Sequence, residues 1–156
     1  MQGRKVTFGA RGTTFEFKTG GVEIMCKTIK QKVKFNAPPE DVYELLTSAE
    51  KHRKFTGKPA TISKQIGGKF SIYSGQATGI VVDLCRPKRV VLAWRGHSFP
   101  DGIYSMAAFV LTRQKNGGTE LVLTHRGVPK EFIPRIEAGW REYYWRRMKN
   151  YFSAKR

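Results

Sequence analysis

The chain has 156 residues, 40% hydrophobic and 26% charged, with a net charge of +17. That length and composition fit one globular domain with a core large enough to need no disulfide or metal. They argue against a membrane protein, because no apolar run approaches the ~20 residues of a span. The opening MQGRKVTFGARG also lacks the apolar stretch of a signal peptide, so a cytoplasmic protein is expected. Cys26 and Cys85 have no second cysteine or histidine at ligand spacing and are expected to be free thiols. The charge is the one extreme quantity. It is densest at the two ends, with eight basic residues against two acidic over 1–35 and seven against two over 133–156. A field of that sign attracts nucleic acid, acidic membranes or acidic proteins.

Residues 1–24 are rich in Gly, Lys and Thr and read as a flexible leader, in which Thr14 to Lys18 could add an edge strand. The remainder, 25–156, reads as a single domain. From Thr28 to Phe35 the chain alternates, with Ile29, Gln31, Val33 and Phe35 on one side and Lys30, Lys32 and Lys34 on the other. That is a strand with one wet face. Pro38-Pro39 then opens a helix whose first turn carries Glu40 and Asp41, suited to its positive end. Val42, Leu45 and Leu46 form its apolar stripe. Thr47 or Ser48 caps a second short helix through Glu50, His52 and Phe55. Beyond Gly57 the pattern is all strand: Ala60–Lys64, Lys69–Tyr73, Gln76–Leu84, Arg89–Arg95, Tyr104–Arg113 and Thr119–Arg126. Gly and Pro turns separate these segments, which argues for an antiparallel meander.

The last segment switches period. On a wheel of ~100° per residue, Ile133, Ile136, Trp140, Tyr143, Tyr144, Met148 and Tyr151 fall in one arc. Arg135, Glu142, Arg146 and Lys149 fall opposite, and Trp145 lies outside the arc as a partly exposed residue. This predicts a long amphipathic helix packed on the sheet. Glu137 and Arg141, spaced i, i+4, are expected to pair.

The order strand, two short helices, six strands, long helix resembles the helix-grip fold of the START-like, or SRPBCC, superfamily. This is an α+β fold with a curved antiparallel sheet of six to seven strands around a long C-terminal helix. Ala37-Pro38-Pro39-Glu40-Asp41-Val42-Tyr43, Gly67-Gly68-Lys69-Phe70, Gly79, Trp94-Arg95 and Gly117-Gly118-Thr119-Glu120-Leu121 narrow the match. Pro59-Ala60-Thr61, Phe99-Pro100-Asp101-Gly102, Arg126-Gly127-Val128-Pro129 and Gly139-Trp140-Arg141-Glu142-Tyr143-Tyr144 narrow it further. Together they resemble the family of the activator of the heat-shock protein 90 ATPase, in its C-terminal domain, over roughly Thr28 to Phe152. Residues 1–24 are too short to match the separate N-terminal domain of the eukaryotic activator. The resemblance implies a non-enzymatic, stress-response co-chaperone module with an Hsp90-type chaperone as partner. The wider superfamily implies an alternative: a carrier or sensor holding a small hydrophobic ligand between sheet and helix.

Candidate site residues follow from the two readings. For a ligand cavity, Trp94, Phe109, Trp140 and Tyr144 are wall residues, and His125, sharing a strand face with Leu121 and Leu123, is the polar contact. Arg147 lies inside the apolar arc. It either snorkels to water or reaches the cavity mouth to meet an anionic head. For a partner, Arg135, Arg146 and Lys149 form the basic outer side of the helix. His52 and His97 are given no role. Gly139 beside Trp140 is expected to allow close approach to the helix backbone. No metal-ligand spacing, phosphate-binding glycine loop or nucleophile elbow occurs, so no cofactor and no catalysis are expected. Basic and aromatic residues interleave from Trp140 to Arg147, but helical spacing assigns most of the aromatics to the core. Nucleic-acid binding is therefore not expected.

Overall fold

The alternation of lysines with apolar residues builds β3 (Cys26–Phe35), whose Ile29, Val33 and Phe35 are buried while Lys30, Lys32 and Lys34 face out. The computed structural model describes residues 5–7, 14–16 and 24–155. Among them, β1 (Lys5–Thr7) and β2 (Thr14–Glu16) pair with each other in a two-stranded antiparallel sheet. The edge strand expected at Thr14 to Lys18 thus forms over its first three residues, but with β1 and not with the main sheet. Lys18 lies outside the described residues.

After β3, Pro38 and Pro39 start α1 (Pro39–Thr47). Ser48 accepts from the Lys51 N–H and caps α2 (Ala49–Thr56), which ends on Gly57 at φ +70°. Six strands follow: β4 (Thr61–Ile62), β5 (Lys69–Ile72), β6 (Ala77–Cys85), β7 (Arg89–Gly96), β8 (Ser105–Arg113) and β9 (Thr119–Pro129). Gly67 and Gly117 take φ of +85° and +83° in the turns where the sequence pairs its glycines. The seven strands run β3-β9-β8-β7-β6-β5-β4, all antiparallel, so the first strand of this curved sheet lies beside the last. Both cysteines are free thiols, Cys26 exposed and Cys85 half-buried.

The chain then turns through Lys130–Phe132 into the long helix. This helix comprises α3 (Ile133–Gly139), a π-helical segment Trp140–Trp145 and α4 (Arg146–Ala154). Hydrogen bonds of i→i+5 type take more residues per turn than the α-helix. The wheel drawn at α period therefore fails beyond Trp140, and two expectations change. Tyr143, placed in the apolar arc, is 52% exposed, and Trp145, placed outside it, is 5% exposed. Trp140, Tyr144, Trp145 and Met148 make the buried face instead. The i, i+4 ion pair of this helix among the described residues is Glu142 with Arg146, at 2.9 Å, and not Glu137 with Arg141. Gly139 has no close approach to relieve: the nearest atom to an added Cβ would be Tyr143 Cδ2, at 3.9 Å.

Candidate functional site

Two buried polar connections hold the helix to the rest of the fold. The inward face of β9 carries Leu121, Leu123 and His125, each 0% exposed. Trp140 Nε1–H donates to His125 Nδ1 at 3.1 Å, and His125 Nε2 lies 2.7 Å from Ser105 Oγ. An indole N–H only donates. Nδ1 must therefore accept, Nε2 carries the proton, and Ser105 accepts it. Ser105 passes its own hydrogen to the Trp94 carbonyl, at 3.0 Å. The chain of bonds thus requires neutral His125. Burial acts the same way, pushing its pKa down to about 4.

The second connection joins α2 to the π segment. His52 Nε2 and Tyr144 Oη lie 2.8 Å apart. Burial pushes His52 down to about 4 and Tyr144 well above the usual phenol range. Each group therefore stays neutral near pH 7, and the pair pins helix to helix without exchanging a proton. Beside it, Tyr73 donates to the Tyr143 carbonyl, and burial pushes the Tyr73 phenol up to about 12. Arg147 Nη1 donates to the Thr56 carbonyl at 2.6 Å, a cation placed on the negative end of α2. Its guanidinium carbon lies 5.5 Å from the Tyr143 ring centroid. Two buried nitrogens, His52 Nδ1 and Trp94 Nε1, have no hydrogen-bond partner among the described residues.

An open groove of about 530 Å³ runs between the long helix and the β5–β7 side of the sheet. Of the expected cavity residues, Trp94, Trp140, Tyr144 and Arg147 line it. Phe109 and His125 lie beneath it, 1% and 0% exposed, under the Trp140 ring. The groove carries Lys58, Arg135 and Arg147 and, among the described residues, no acidic side chain. On the outer side of the helix, Arg146 and Lys149 are exposed, whereas Arg135, expected there with them, is exposed at the edge of the groove. Arg146 is paired with Glu142, while Arg135 and Lys149 have no acidic partner among the described residues. Those residues show no cluster of three or more His, Cys, Asp or Glu able to hold a metal, and no helix long and apolar enough to cross a membrane.

Sequence reasoning missed three participants. His52 was given no role, yet it is 1% exposed; its i, i+3, i+4 spacing to Phe55 and Thr56 was the available signal. Ser105 opens a strand and carried no signal. Gln31 sits on the inward face of β3, accepts from Trp145 Nε1–H at 2.6 Å and donates to the Glu137 carbonyl at 3.1 Å. A polar residue at an apolar position of an alternating strand was its mark.

A seven-stranded antiparallel sheet that carries a long C-terminal helix, with two short helices after the first main strand, defines an α+β domain of the helix-grip class. A crystal structure of an HSP90 activator from Plasmodium falciparum has the same fold, with a TM-score of 0.76 at 22% identity over 81% of this chain and 96% of that one. The family model described as "Activator of Hsp90 ATPase homolog 1-like protein" matches residues 36–153. Activator of 90 kDa heat shock protein ATPase homolog 1 of Homo sapiens is 36% identical over 133 residues, covering 85% of this chain and 39% of that protein. The Dictyostelium discoideum homolog is 29% identical over 127 residues, covering 81% of this chain and 33% of that protein. The chain belongs to the Activator of Hsp90 ATPase homolog 1-like family. It spans about two-fifths of the length of the human relative.

Proposed function

We propose that this chain is a co-chaperone module, performing no chemistry of its own, that docks on an Hsp90-type chaperone and modulates its ATPase. The observation that carries the reading is kinship at 36% identity with a protein named as an activator of that ATPase. Two features fit it. The net charge of +17 suits an acidic chaperone face. Exposed Arg146 and Lys149 offer cations on the outer side of the long helix, and Arg135 another at the edge of the groove. A cytosolic location goes with this reading. The test uses the chaperone from the same source. Calorimetric titration should show binding that weakens as salt rises, and the ATPase rate should change on addition of the chain. Absence of binding together with an unchanged ATPase rate overturns the reading.

The groove favours a second reading, a carrier of a small apolar ligand. At about 530 Å³, with seven aromatic side chains among its nineteen lining residues, it falls within the size range of ligand pockets. Native mass spectrometry of protein taken from its source cell would show a retained small molecule. A clean apo mass removes this reading and leaves the first untouched.

A further inference from the structure

An antiparallel sheet covered on one face normally turns polar residues outward on the other. Here four adjacent strands carry apolar residues among their outward positions, beside polar ones such as Thr78, Thr112 and Thr124. Ile80 and Val82 of β6 and Met106 and Val110 of β8 are 39–44% exposed. The register arranges the outer face in rows. Ile80 pairs with Ala93 and Ala93 with Met106, and this row ends in Lys69 on one side and Arg126 on the other. Val110 pairs with Val122, and this row continues to Arg89 and then Cys85 on one side and to Lys32 on the other. These two rows have apolar middles flanked by cations, while the row between them runs Asp83, Val91, Ala108, Thr124, Lys30. Two of these cations have carboxylates beside them, Asp83 2.6 Å from Arg89 and Glu120 3.8 Å from Lys32, so Lys69 and Arg126 are the rim cations without an acidic partner among the described residues.

The lysine side chains of β3 and the helix lie on opposite faces of the sheet, because side chains alternate across it and the helix packs on the inner face. At ~4.8 Å between strands and ~3.3 Å per residue, the apolar part of the four strands β6 to β9 measures about 14 by 13 Å. That is smaller than the ~800 Å² each partner contributes to a standard interface, so the patch can form only the apolar centre of one, with the cations around it.

We infer that the outer face of the sheet, centred on Met106 and Val110, is a docking surface for an acidic, apolar-centred face of the chaperone. This inference rests on the proposed co-chaperone reading. The charge pattern selects the occupant. A second copy would bring another +17 and the same cationic rim against itself. A membrane surface would be met by flat Val, Ala and Met side chains, with no Trp or Phe to anchor in it. A protein face with carboxylates around an apolar centre matches both the rim and the middle.

The experiment is binding of the full chain to the chaperone from its own source, measured by calorimetry. Met106→Glu/Val110→Glu should weaken binding by at least about tenfold, as for loss of an interface anchor. Met106→Thr/Val110→Thr, which keeps strand-favouring side chains, should weaken it less and keep the fold readable if the Glu pair disturbs it. Far-UV circular dichroism and melting check that both pairs fold. Arg146→Glu/Lys149→Glu separates the helix side from the sheet side. Wild-type binding that both sheet variants retain in full overturns the docking surface while leaving the co-chaperone reading standing. A wild-type dimer dispersed by the sheet variants, or phosphatidylserine-vesicle binding lost by them while chaperone binding persists, overturns it in favour of another occupant. No wild-type binding at all removes the co-chaperone reading and this surface with it.

Discussion

Acidification should destabilise this protein well above the range where its carboxylates titrate, because two histidines are buried neutral. His52 and His125 are 1% and 0% exposed, and burial lowers both from the ordinary 6.5 to about 4. Between those values the unfolded chain binds protons that the folded chain does not. The stabilisation is therefore complete above about pH 6.5 and is lost as pH falls toward 4. Integrating from pH 7 to pH 5 gives about 2 kcal/mol per histidine, or about 4 kcal/mol for both. That is a large share of the ~5–15 kcal/mol typical of a domain. In this size range it corresponds to a fall in Tm of roughly 8–16 °C. Urea unfolding at half-unit pH steps measures the effect. His125→Gln, which removes one of the two titrating groups, should lose about half as much on acidification. A urea midpoint that stays constant from pH 7 to pH 5 would refute the reasoning, as would imidazole resonances of both histidines titrating near 6.5.

Other substitutions separate strand geometry from helix geometry. A Cβ on Gly79 would sit 1.8 Å from the Ala93 carbonyl oxygen, so Gly79→Ala should cost at least ~3 kcal/mol in chemical denaturation or prevent folding. Gly139→Ala, by contrast, meets only the Tyr143 ring at 3.9 Å and should be neutral or stabilise by up to ~1 kcal/mol on the same measurement. Gln31→Leu strands the Trp145 N–H and should lower stability by ~1–2 kcal/mol, seen as a Tm fall of a few degrees. Ser105→Ala leaves the buried His125 Nε2–H without its acceptor and should cost ~1–3 kcal/mol by urea titration.

Much of the strand pattern was legible locally. The Lys30, Lys32, Lys34 alternation marks β3 directly, and each main strand falls within a residue or two of its turn signals, except where β9 runs on to Pro129. Pro39, Ser48 and Gly57 mark the helix ends because capping chemistry is local. His52 shows where local reading stops. Its helix is polar in composition, yet the long helix covers it, and only the packing of α2 against α4 makes it a buried partner of Tyr144.

By itself the sequence determined the order and kind of the elements, the family motifs and the +17 field, since periodicity, turn chemistry and charge sum over near neighbours. Tertiary structure alone decided the rest. Trp140 meets His125 only after β9 has paired with β8 and carried His125 to within hydrogen-bond reach of Ser105, 20 positions away in the chain. The π segment, which turns Trp145 inward and Tyr143 outward, is likewise a compromise between helix period and the wall it packs on. The apolar rows with their flanking cations across the outer sheet exist only in the register of six strands, which no window along the chain contains.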